Sequence, residues 1–79
     1  MIINASMIEK IPFMHRQKTY NIIVEDDITF IALHSILDDL IRQGAFPAEE
    51  GCAELYQVTY EELCYTIGID GIDVIISVR

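Results

Sequence analysis

The residues of this sequence whose chemistry reaches beyond packing are two histidines, two cysteines and four adjacent pairs of acids. A zinc site is the first chemistry such a set suggests. Structural zinc ligands come in closely spaced pairs, whereas His15, His34, Cys52 and Cys64 are scattered, with no CxxC or HxxxH. No metal or other cofactor is expected on that pattern. Either cysteine could act as a nucleophile only beside a base and an oxyanion-stabilising loop, and no segment around Cys52 or Cys64 has that character. His34 stands four residues before Asp38, the spacing of a local pair on a helix.

The acids come as Asp26-Asp27, Asp38-Asp39, Glu49-Glu50 and Glu61-Glu62. Hydrolytic acid/base work needs two carboxyl groups facing each other across a cleft, one of them with a raised pKa. Neighbours on a helix diverge by about 100° and cannot face each other. A solvated acidic surface is the expectation, and with it a protein that is not an enzyme. Asp70-Gly71-Ile72-Asp73 lacks the ligand run and the closing glutamate of a calcium loop.

Composition sets what can carry such a surface. The chain has 79 residues and a net charge of −8, yet 52% of it is hydrophobic, which argues for a folded domain and against an acidic disordered tail. One domain over residues 1–79 is expected. The longest apolar runs are of the kind Ile22-Ile23-Val24 and Val74-Ile75-Ile76, too short for a membrane span or a signal-peptide core. The expected compartment is therefore the cytoplasm, which two cysteines fit better than a disulfide scaffold, while a single Cys52–Cys64 bridge stays open as an alternative. Charge is unevenly spread: residues 1–18 carry a net of +2 and residues 19–79 a net of −10. A field of that sign repels phosphate backbones and favours a basic protein surface as partner.

Period-two and period-three patterns then place the residues. Ser6 to Met14 and Thr19 to Glu25 read as two strands around a polar break at His15–Lys18, with Pro12 confining the first to an edge. Phe30, Leu33, Leu37, Leu40 and Ile41 form a helical stripe over 28–43, with Asp26 or Asp27 as cap and Gly44 as terminator. Pro47 could open a short helix through Glu50. Thr59-Tyr60-Glu61-Glu62 has capping-box spacing, so a second helix is expected over 60–67, turning Tyr60, Leu63, Cys64 and Ile67 inward. Ile72, Val74, Ile76 and Val78 alternate as the core set of a last strand. The expected fold is thus α+β in the order ββααβ, a mainly antiparallel three-stranded sheet with two helices on one face.

The segment Val58 to Ile69, with its T-x-x-E-L followed by I-G-I, resembles the start of a helix-turn-helix. That resemblance implies a recognition helix after Ile69, yet Asp70 to Val78 is β-branched and acidic, with no base before Arg79. Direct nucleic-acid binding is not expected. In composition the chain is similar to small acidic immunity proteins and to phage-encoded inhibitors such as anti-CRISPR proteins and DNA mimics. The expected function is a protein-binding antagonist covering a basic surface of its target, itself a nucleic-acid-binding protein in such systems. Its contact residues would be Glu25, Asp26, Asp27, Asp38, Asp39, Glu49, Glu50, Glu61 and Glu62, with Ile31 and Tyr65 as exposed apolar anchors off the core stripes. An alternative is a structural or assembly subunit that docks or homodimerises through the outer sheet face, where Ile23 and Ile75 point away from the core sets of their strands.

Overall fold

The computed structural model describes residues 2–3, 10–46 and 53–78. In chain order the elements are β1 (Ile2–Ile3), β2 (Ile11–His15), β3 (Lys18–Val24), β4 (Ile28–Thr29), α1 (Phe30–Arg42), β5 (Ala53–Tyr60), β6 (Leu63–Asp70) and β7 (Asp73–Val78). Five of the strands form one mixed sheet in the order β2-β3-β7-β6-β5, and β1 pairs with β4 alongside. β3 and β7 run parallel, with Ile22 opposite Val74 and Ile23 opposite Ile75. All other pairings are antiparallel.

The helix follows from its stripe and its ends. The Thr29 side chain accepts from the Ala32 amide at 3.1 Å and caps the first turn. At the other end Gly44, at φ +78°, lets its own amide reach the Ile41 carbonyl and the Ala45 amide reach that of Leu40, a Schellman closure. Between these caps Ala32, Leu33, Ile36, Leu37 and Leu40 are buried. The buried stripe is rotated from the expected one, since Phe30 and Ile41 are exposed.

The sheet offers its matching face through strict alternation. Tyr20, Ile22 and Val24 of β3, Val58 of β5, Tyr65, Ile67 and Ile69 of β6, and Val74 and Ile76 of β7 join the helix residues in one core. Each fully buried aliphatic side chain there contributes about 1.5–3 kcal/mol over its exposed state. Beyond α1, Phe46 packs into a cluster of rings with Phe13, His15 and Tyr20. Every described residue on the outer face of the sheet is exposed or half-buried.

The ββααβ expectation is overturned: among the described residues there is a single helix and the main sheet has five strands. The missing helix is the one expected over 60–67. There Tyr60 pairs with Leu63 and Val58 with Tyr65, so Glu61 and Glu62 form a two-residue hairpin turn and not a helical first turn. The same sequence fits both periods, because Tyr65, Ile67 and Ile69 alternate as well as Tyr60, Leu63, Cys64 and Ile67 wind. Alternation wins because β5 pairs with β6 along its whole length and β7 pairs with it from Tyr65 to Asp70, which satisfies its backbone on both sides there. The helix-turn-helix likeness falls with it, since Val58 to Ile69 is part of this hairpin. The Pro47–Glu50 helix lies outside the described residues.

Candidate functional site

The register decides which acids meet. β3 and β7 run parallel, so Val24 and Val78 finish at the same end of the sheet, and Val78 lies opposite Tyr65 near the start of β6. The loop Glu25–Asp27 and the turn Glu61–Glu62 therefore share one end of the molecule, together with the first turn of α1. Neither segment contains a lysine or arginine. The opposite end holds the Arg16–Gln17 turn, with Lys18 over the Tyr20 ring at 5.3 Å. The Asp70–Asp73 turn between β6 and β7 lies toward that same end, so both signs of charge meet there.

Between the two acidic segments lies a cleft of about 160 Å³. Its buried residues, Ile28, Ala32 and Tyr65, make the floor, and Asp27, Thr29, Glu61 and Leu63 stand exposed around the mouth with Tyr60 half-buried between. Cofactor and drug-sized ligand pockets run to about 300–1,000 Å³, so this one fits a single side chain better than a nucleotide. Burial, and then the nearby charge of Glu61, push the Tyr65 hydroxyl above the ordinary tyrosine pKa.

Each acid has its own surroundings. Asp26 accepts from the Val78 amide at 2.8 Å, closing the end of β7, so part of its role is structural. Glu61 and Glu62 both adopt left-handed backbone, at φ +49° and +68°, where asparagine and glycine are the usual residues of a two-residue hairpin turn. Asp38 and Asp39 stand apart from the cleft, more than two turns into α1, and Asp39 forms an ion pair with Arg42 at 3.5 Å. Glu49 and Glu50 lie outside the described residues.

The two apolar anchors part company. Ile31 is 71% exposed in the first turn of α1, beside half-exposed Phe30. Tyr65 is not an exposed anchor: it is 3% exposed and belongs to the core, because on a strand the position beside Cys64 faces the opposite side. Ile23 and Ile75 lie next to each other on the outer face, Ile23 half-buried and Ile75 exposed, and the same face shows Leu55 and Met14.

The candidate chemical residues are apart. His34 packs edge-on against Phe30 with centroids 4.5 Å apart, and His15 stacks with Phe13 at the far end of the sheet. Cys64 is a half-buried free thiol on the outer face of β6. Cys52 lies outside the described residues. Among the described residues no helix is long and apolar enough to cross a membrane.

The cleft itself escapes sequence reading. Its available signal is the run Tyr60 to Tyr65, two aromatics enclosing two acids and alternating once read as strand. Comparison of the chain with protein-family models, curated proteins and solved structures finds no match in any of the three.

Proposed function

We propose that this protein is a non-enzymatic protein-binding module, an antagonist that covers a basic surface of its target with its acidic end. The observation that supports this most is the gathering of Glu25, Asp26, Asp27, Glu61 and Glu62 at one end of the sheet, where Asp27 and Glu61 line an apolar-floored cleft and exposed Phe30 and Ile31 follow in the first turn of α1. Carboxylates at a rim steer an oppositely charged partner and set its orientation, and adjoining apolar side chains supply affinity. Holding two glutamates in left-handed backbone, where asparagine and glycine would be easier, fits side chains kept for what they contact.

The test is capture from cell lysate by immobilised protein at about 50 mM and about 500 mM salt, a range over which surface charges become screened. The comparison is a variant with Glu25→Gln, Asp26→Asn, Glu61→Gln and Glu62→Gln. A partner held at low salt and lost in the variant is the expected result. Capture indifferent to both would sink the electrostatic reading.

A second reading, self-association through the outer sheet face, is favoured by one feature: Ile23, Ile75, Leu55 and Met14 share that face, and Leu55 and Met14 are 78% and 72% exposed. Gel filtration of wild type and Ile75→Glu decides it. A wild-type dimer that becomes monomeric in the variant is expected, and a wild-type monomer at micromolar concentration counts against it.

A further inference from the structure

Tyr65 gives the cleft a property that its acids alone do not. The residue is 97% buried by its 3% relative exposure, yet no described residue pairs with its hydroxyl. Every side-chain oxygen or nitrogen sealed from solvent among the described residues has a hydrogen-bond partner. The Tyr65 hydroxyl is therefore not sealed from solvent, and the cleft is the opening that Tyr65 lines. A buried tyrosine normally finds a partner for that group.

From this we infer that the cleft seats a single arginine side chain presented by the partner protein, its guanidinium between the Glu61 carboxylate and the Tyr65 hydroxyl. The inference rests on the protein-binding reading above and names the group that the acidic end grips. The size suits it, since a cavity of about 150 Å³ accepts a molecule as large as benzene and little more. The aliphatic stem lies along Ile28, Ala32 and Leu63 as such stems do on apolar surface. A planar fork of five donors matches a carboxylate and a hydroxyl on one wall and stacks on tyrosine faces, which a lysine ammonium does not. Asp27 has interactions of its own, so the weight falls on Glu61.

The test titrates the full chain with a Gly-Arg-Gly peptide, followed by NMR at the Thr29 and Glu61 amides and the Tyr65 ring. The same peptide with lysine, or with the neutral isostere citrulline, replaces arginine in parallel. The expected result is saturable binding at millimolar affinity, as befits so few contact atoms, centred on the cleft and weaker for lysine and citrulline. Glu61→Gln, on an exposed turn, and Tyr65→Phe, which keeps the core ring, each weaken it about three- to tenfold, with folding checked by circular dichroism. Equal shifts with citrulline or lysine, shifts centred on the outer sheet face, or indifference to Glu61→Gln would overturn the assignment. Partner capture that is salt-sensitive but survives both substitutions sinks the arginine seat and leaves the protein-binding reading standing. Arginine binding without any captured partner does the reverse.

Discussion

Ile75 and Ile76 are chemically identical neighbours with opposite fates: one is 37% exposed on the outer face of β7 and the other 2% exposed in the core. Ile76→Ala should cost about 2–5 kcal/mol, because the lost contacts leave a cavity, while Ile75→Ala should cost less than about 1 kcal/mol. Urea denaturation of the two variants measures both. That distinction was legible, since alternation with Val74 and Asp73 places Ile75 outside whatever the strand pairs with. Tyr65 was not, because its inward or outward direction depends on whether its segment winds or extends. Its raised pKa adds a second expectation. Tyr65 holds its proton more tightly when folded than when unfolded, so that contribution to stability is complete below the ordinary value of about 10 and is lost as pH rises through the folded one. Urea midpoints followed from neutral pH upward should fall above about pH 10, and less so in Tyr65→Phe.

At the scale of elements, α1 could be placed from sequence because its signals agree: an apolar stripe, a capping side chain and a terminating glycine. Its cap is Thr29 and not Asp26 or Asp27, a shift that follows once Ile28 and Thr29 are taken up by pairing with β1. The β5–β6 hairpin was hidden for the opposite reason. Its turn residues are Glu61 and Glu62, which advertise a helix start, and two-residue hairpin turns are usually announced by Asn-Gly. Restoring that signal makes a prediction. Glu61→Asn with Glu62→Gly should stabilise the fold by about 1 kcal/mol by relieving left-handed backbone, read as a higher urea midpoint, while weakening salt-sensitive partner capture. Stability and binding moving in opposite directions would separate what the turn needs from what its side chains do.

The whole molecule was the least legible level, because no local pattern announces that residues 73–78 pair in parallel with residues 21–24. Charge, by contrast, could be counted, and the fold gathers five of the acids, Glu25, Asp26, Asp27, Glu61 and Glu62, at one end. The long axis of the described residues spans 29 Å, close to the screening length of about 30 Å at 10 mM salt. Self-repulsion should therefore reach across the molecule at low ionic strength. Raising salt from about 10 mM to about 150 mM, where screening shortens to about 8 Å, should raise the melting temperature, measured by circular dichroism. The central place of β7 has a consequence for folding. Until residues 73–78 dock, the β2–β3 and β5–β6 hairpins have no strand between them, and each presents an unpaired edge to neighbouring chains. Closure of the core waits on that strand, so anything that delays its docking exposes two adhesive edges at once.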